Sequence, residues 1–351
     1  MRSSRTVSLL LIVAATLLAS SCGTSGAGPS LWGFALDGYP ITPGRIAGVE
    51  AATGLRPDMV VFFLQWPPVE DPSGGEFPLE SLEAIAASGA LPCITWEPMF
   101  LKGDREVAIS HTDVLGGRYD GFIRRFAEKA RSWKKPVLMR FAHEMNLKRY
   151  HWGTAEDEYG PESPAIYRRM YRHIVEIFRR SGAGNVLWVF CPNAESVPNG
   201  TYDPSAAWNV LSAYYPGDDC VDVLGVDGYN WGTTRKKDVH GWESRWRSFQ
   251  EIFEAAVADL RGLSSATSRK PLVVFETATV GTGGNKNEWI RDAMSAASTL
   301  GIDGIVWFQS DKEVDWRMET GSDGSHVPAV KGRRSPGHDR LTELLEKGER
   351  P

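Results

Sequence analysis

Eight short apolar runs recur along this chain, and their order leaves few folds open: Leu31–Leu36, Asp58–Leu64, Leu91–Trp96, Pro136–Ala142, Asn185–Phe190, Val221–Val226, Pro271–Phe275 and Gly304–Phe308. Helical periodicity lies between most of them. In the segment from Phe122 to Arg131, apolar residues fall at 122, 123, 126, 127 and 130, one face of a helix. The segment from Ile166 to Arg180 does the same through Ile166, Met170, Ile174 and Ile177, and that from Trp246 to Leu260 through Phe249, Phe253, Ala256 and Leu260. Strands alternating with amphipathic helices imply right-handed parallel crossovers. An open doubly wound sheet usually begins with a GxGxxG turn, which the stretch Leu31–Gly38 lacks. The expected fold is therefore α/β, a single closed (β/α)8 TIM barrel over residues 31–348. The polar, Gly-rich stretch Ser310–Pro336 reads as a rim loop, and the last helix is expected over Asp339–Lys347.

In such a barrel the side chains that do chemistry project from the carboxyl ends of the strands and from the loops that follow. Those ends carry Trp96-Glu97, Arg140 with His143-Glu144-Met-Asn146, Pro192-Asn193, Asp227-Gly-Tyr229-Asn230-Trp231, Glu276 and Trp307. Aromatic walls, amides and carboxylates together suit a sugar, whose ring faces stack on rings and whose hydroxyls need polar partners. Two glutamates, Glu144 and Glu276, each close a buried apolar run. Paired carboxylates on one rim are what retaining cleavage of a glycosidic bond requires. Arg140 lies four residues before Glu144 and is placed to point up the barrel toward Glu276; a structural ion pair is compatible with that role. His143-Glu144 would begin an HExxH zinc motif, but position 147 is Leu, so neither metal nor other cofactor is expected.

The amino terminus carries a different signal. Arg2 and Arg5 precede the apolar run Val7–Leu18, and small residues lead to Cys22, the pattern of a signal peptide over residues 1–21. Leu18-Ala-Ser-Ser before Cys22 resembles a bacterial lipobox, which implies lipidation of Cys22 and a membrane-anchored protein of the cell envelope, facing the periplasm or the exterior. A secreted protein with an incidental Cys22 is the alternative. Residues 22–30, rich in Gly and Ser, read as a flexible tether.

The formal charge of -5 gives no basic face for nucleic acid, so none is expected as a partner, and the chain reads as a monomer. Thirteen tryptophans serve both a core and sugar stacking, and their number does not separate the two. Cys93 sits inside an apolar run and reads as a buried free thiol. Cys191 and Cys220 fall at opposite ends of neighbouring runs, and a disulfide between them is left open.

Arg140-Phe-Ala-His143-Glu144-Met-Asn146, Trp152-Gly153, the stretch from Tyr215 to Tyr229, Glu276 and Asp315-Trp-Arg317 together resemble glycoside hydrolase family 26 over about residues 32–317. The resemblance implies a retaining endo-β-glycanase of the (β/α)8 clan, most often a β-1,4-mannanase, otherwise a β-1,3-1,4-glucanase, a β-1,3-xylanase or an exopolysaccharide hydrolase. It assigns Glu144 as acid/base and Glu276 as nucleophile. It further implies that His143 contacts sugar or nucleophile, that Tyr229 holds the nucleophile or stacks nearby, and that Trp307 floors the cleaved sugar. Asn146, Trp96 and Trp152 complete the expected sugar contacts. Mannanases of the family often carry Gly after the HEMN motif and an aromatic two residues later. Here those positions are Leu147 and Arg149, so a rim cation is expected to alter a subsite or to meet an acidic glycan. A catalytically silent glycan-binding lipoprotein is the reading from another class, and retention of Arg140, His143 and both glutamates argues against it.

Overall fold

The computed structural model describes Pro29, residues 31–263 and residues 270–318. The signal peptide, Cys22, the tether apart from Pro29, and the helix expected over Asp339–Lys347 lie outside the described residues. The chain begins with β1 (Leu31–Leu36), α1 (Pro43–Thr53), β2 (Met59–Gln65), α2 (Leu79–Ala87) and β3 (Leu91–Glu97). An antiparallel hairpin of β4 (Met99–Lys102) and β5 (Arg105–Ala108) follows, then α3 (His111–Leu115), α4 (Asp120–Trp133) and β6 (Val137–Phe141). After α5 (Ser163–Arg180) and β7 (Val186–Phe190) come β8 (Val223–Asn230), α6 (Lys237–His240) and α7 (Phe249–Leu263). The described chain closes with β9 (Leu272–Thr279), α8 (Lys286–Leu300) and β10 (Gly304–Phe308).

Eight strands, β1, β2, β3, β6, β7, β8, β9 and β10, pair in parallel and in chain order into a closed barrel. The (β/α)8 expectation holds. The strands are apolar on both faces because one face fills the barrel and the other meets the helices. α5 shows how the outer layer is held: Ile166, Met170, Ile174 and Phe178 are buried along one face. α8 starts where the Asn285 side chain accepts from the amides of Asn287 and Glu288, and ends at Gly301 in the left-handed region, φ 68°. Trp32, Trp66, Trp96, Trp188, Trp289 and Trp307 are all buried, so the tryptophan excess is mostly core.

Register decides which side chains reach the mouth. Thr95 pairs with Arg140 and Trp96 with Phe141. The Arg140 guanidinium donates to Thr95 Oγ1 inside the barrel, so Trp96 and Phe141 face outward. Two strands run further than their apolar runs suggest, β8 to Asn230 and β9 to Thr279, and Glu276 lies within β9 rather than beyond it. Both neighbours of β9 skip a residue there: Val226 and Asp227 of β8 meet Val274 and Glu276, and Ile305 and Trp307 of β10 meet Val274 and Thr277. This β-bulge turns two consecutive side chains, Phe275 and Glu276, toward Arg140, which strict alternation forbids. Gly225 makes room beneath them: a Cβ there would lie 2.8 Å from both Cys191 Sγ and the Phe275 ring.

Cys93, Cys191 and Cys220 are buried free thiols, which settles the open pairing of Cys191 with Cys220. Burial pushes the Cys93 thiol up to about 12, so it stays protonated and inert.

Candidate active site

The loop after β6 places the first carboxylate under backbone strain. Ala142 (φ 47°) and Glu144 (φ 49°) are both left-handed, on either side of His143. Each such residue costs on the order of 1–3 kcal/mol and persists only where its surroundings over-determine it. Here Ala142 N donates to Trp96 O at 3.0 Å, Glu144 N to Cys191 O at 2.8 Å, and Trp152 Nε1 to His143 O at 2.6 Å. The outcome is a Glu144 that is 6% exposed and whose carboxyl accepts from Asn193 Nδ2 at 2.6 Å. Asn193 in turn is gripped by Asn146, whose Nδ2 donates to Asn193 O at 2.9 Å and whose Oδ1 accepts from Asn193 N at 2.8 Å. Ser196 Oγ takes another Asn146 proton at 3.1 Å. Asn146 is thus spent within the protein, which corrects its expected place among the sugar contacts; it positions the amide that meets Glu144.

The second carboxylate is held from two sides. Arg140 Nη2 donates to Glu276 Oε1, and the Tyr229 hydroxyl donates to Glu276 Oε2 at 2.6 Å. Arg140 is fully buried and also donates to Asp227 Oδ2 at 2.6 Å and, through Nε, to Thr95 Oγ1 at 2.9 Å. Burial works against the guanidinium charge, and the carboxylates of Asp227 and Glu276 outweigh it, holding Arg140 protonated. Asp227 therefore fixes the arginine that fixes Glu276. Tyr229 was expected to hold Glu276 or to stack nearby, and its hydroxyl is bonded to that carboxylate.

The environments of the two glutamates differ in kind. Burial and then the negative field of Glu276 push Glu144 up to about 7, against the opposing hydrogen bond from Asn193. Glu144 is half protonated near neutrality, whereas both oxygens of Glu276 accept charged or phenolic donors. Burial also lowers the His143 imidazole well below its usual value, so it is neutral, and its Nδ1 is buried without a partner. It makes no hydrogen bond to Glu276; its ring packs between Phe63 (6.0 Å) and Tyr150 (4.8 Å).

Three expected stacking residues are corrected. Trp96 is fully buried on the outer face of β3, against Trp66, Phe122, Phe126 and Phe178, so it is core. Trp307 faces Trp289 of α8 at 6.2 Å and donates through Nε1 to Trp316 O at 2.9 Å; its neighbour Phe308 turns inward instead. Trp152 is buried behind Tyr150, stacked at 5.0 Å and 10°, and supports the mouth without lining it. The aromatic wall is built by other residues. Phe308 meets Phe63 and Tyr229, Tyr229 lies 5.0 Å from Trp316, and Trp316 lies 4.7 Å from Trp231. Strand alternation sets Trp307 and Phe308 on opposite faces of β10, and packing against Trp289 and Tyr229 decides which of them faces inward.

Arg149 does not present a free cation. It binds Glu106 of the β4–β5 hairpin through both terminal nitrogens, the Nη2–Oε1 distance being 3.0 Å, and lies 5.0 Å over the Tyr150 ring. Together with the bridge between Ser110 and Gly153, this pair braces the hairpin against the Glu144 loop.

A closed (β/α)8 barrel with two unlike carboxylates across its mouth, ringed by aromatics and amides, has the site layout of the barrel glycosidases. Comparison with known proteins is specific about which. The sequence profile of glycosyl hydrolase family 26 matches residues 104–300. Endoglucanase H of Acetivibrio thermocellus is 31% identical over 314 residues, 89% of this chain and 31% of that protein. A mannan endo-1,4-beta-mannosidase of Bacillus subtilis is 28% identical over 166 residues, 42% of this chain and 43% of that protein. The chain belongs to glycosyl hydrolase family 26, and it spans less than half the length of these curated relatives. Among solved structures, a β-mannanase from Bacteroides ovatus superposes with a TM-score of 0.57 at 17% identity, covering 92% of this chain and 90% of that one. A modular endo-β-1,4-mannanase from Cellulomonas fimi gives 0.59 at 17%, covering 91% and 74%. At that identity the likeness establishes the fold.

Proposed function

We propose that this protein hydrolyses a β-linked polysaccharide with retention of configuration, Glu144 serving as acid/base and Glu276 as nucleophile. The observation that carries the proposal is the asymmetry of the pair. Buried Glu144 holds a proton near neutrality and has a single amide partner, while Glu276 is oriented by Arg140 and Tyr229. Two carboxylates whose surroundings separate their roles are the requirement for double displacement. In the first step Glu276 attacks the anomeric carbon and Glu144 protonates the departing oxygen. The Glu276 charge is then consumed in the ester, and the field that raised Glu144 disappears. Glu144 becomes a better-ionised base, suited to deprotonating the incoming water. A binding protein has no use for that coupling.

For the substrate, β-1,4-mannan agrees with the mannosidase relatives. The relative that covers most of the chain is named an endoglucanase, which favours a mixed-linkage or β-1,4-glucan as the second reading. Endo action is proposed because these relatives are an endoglucanase and an endo-mannosidase. The test is reducing-sugar release from mannans, mixed-linkage glucans, β-1,3-xylan and bacterial exopolysaccharides, with the first-formed anomer followed by proton NMR. A β-anomer from a β-linked chain is expected. An α-anomer as first product would mean inversion and would remove the nucleophile role of Glu276; no release from any of these glycans would overturn the hydrolase reading.

A pH dependence follows from Glu144. Its acid form is required for native leaving groups and is present below about 7, so kcat/KM on polysaccharide should fall about tenfold per pH unit above that value. An aryl glycoside whose leaving group departs without a proton should lack this alkaline limb in its glycosylation step. The same limb on both substrates would assign it to another group.

A further inference from the structure

Glu97 is a further carboxylate buried in this mouth, and nothing in the double displacement uses it. It ends β3 on the same inner face as Thr95 and pairs in register with Gln65 of β2. The residue is 4% exposed. One oxygen, Oε2, accepts from Gln65 Nε2 at 2.5 Å; the other meets no donor among the described residues. No cation among the described residues binds it either. Arg140 is taken by Glu276, Asp227 and Thr95, and Arg149 by Glu106.

Register places Glu97 beside the reacting pair: it lies one pleat above Thr95, whose hydroxyl accepts from the arginine that holds Glu276. The Tyr150 phenol feels the negative fields of Glu144, Glu276 and Glu97 together, after burial itself. Glu97 in turn is subject to Arg140 and Glu276, and to Glu106 of the hairpin. Burial pushes it up to about 7, so near neutral pH it both accepts and donates. A carboxyl group withdrawn from water with one amide partner is costly to a fold that gains nothing from it. A sugar supplies what is missing, because neighbouring ring hydroxyls present donors and acceptors at the spacing of two carboxyl oxygens. Gln65 has its amide nitrogen committed to Glu97, which leaves its Oε1 to accept a further hydroxyl.

We propose that Glu97, oriented by Gln65, recognises a pair of adjacent hydroxyls on the sugar unit bound at the β2–β3 side of the catalytic glutamates, and so sets which epimer the enzyme accepts. The inference rests on the hydrolase reading and deepens it. Manno- and gluco-configured rings differ in whether one hydroxyl of such a pair stands axial or equatorial. A fixed carboxyl group with an amide beside it fits one arrangement and leaves a polar atom unpaired against the other, the situation in which discrimination is large.

The experiment compares wild type, Glu97→Gln and Glu97→Ala on matched manno- and gluco-oligosaccharides of equal length. For the preferred epimer, kcat/KM should drop at least about tenfold in Glu97→Ala, carried mainly by KM, while the poorer epimer changes little. The ratio between the two thus collapses toward one. The isosteric Glu97→Gln, which keeps the volume and one acceptor oxygen, should fall between. A merely structural Glu97 would lower both epimers alike and leave the ratio intact, and that result would overturn the proposal. Wild type inactive on every oligosaccharide would instead strike the hydrolase reading beneath it.

Discussion

Glu276→Ala is expected to abolish turnover on polysaccharide and on activated aryl glycosides alike, a loss on the order of 10⁴–10⁶-fold in kcat. In the proposed double displacement the covalent bond between the anomeric carbon and a Glu276 oxygen forms first, and no leaving group, however good, substitutes for it. The breadth of the loss separates this variant from one that damages binding, which would raise KM and spare kcat. Folding is not at stake to the same degree. Arg140 keeps Asp227 and Thr95 as partners when Glu276 is cut back, so its buried charge is not stranded. Glu276→Gln keeps the volume and serves as the control, with thermal melts to confirm the fold. Azide added to Glu276→Ala can enter the vacated space and react directly, giving an α-glycosyl azide from an activated β-glycoside. Wild-type-like rates for Glu276→Ala on an aryl glycoside would remove Glu276 from the chemistry.

The barrel was legible because its strands are apolar on both faces and stand out as runs between amphipathic helices, as with Ile166, Met170 and Ile174 of α5. The pair of carboxylates proposed for catalysis was legible for the same reason: a carboxylate closing an apolar run is conspicuous. Orientation was not. Whether Trp96 or Thr95 faces the interior depends on the register with β6, fixed by the Thr95–Arg140 pair between strands far apart in sequence. The bulge that turns Phe275 and Glu276 to one side has no compositional mark. Asn146 stands in the same motif as Glu144, yet the two left-handed residues of that loop turn it back onto Asn193. The β4–β5 hairpin passed unseen because its strands are short, and β5 is half polar. Glu97 and Tyr150 matter through what surrounds them, and only a packed mouth shows that.

Glu144→Ala should split the reaction in two. On an aryl glycoside with an activated leaving group, departure needs no proton, so glycosylation of Glu276 should proceed at a rate close to that of wild type. Deglycosylation then lacks its base, and the glycosyl-enzyme accumulates, seen as a burst followed by a slow steady state and as a covalent mass increment. On native polysaccharide the same variant should lose about 10²–10⁴-fold, since both proton transfers fail. Azide should relieve the stall. It needs no base, fits the space left by the carboxyl group, and attacks the anomeric carbon from the β face as the bond to Glu276 breaks, yielding a β-glycosyl azide. The geometry gives a reason to expect the space to be open: Glu144 has Asn193 as its amide partner, and Asn193 is held in place by Asn146 whether Glu144 is present or not. A Glu144→Ala enzyme indistinguishable from wild type on polysaccharide would sink the acid/base assignment. An α-azide from this variant would show that the covalent intermediate never formed.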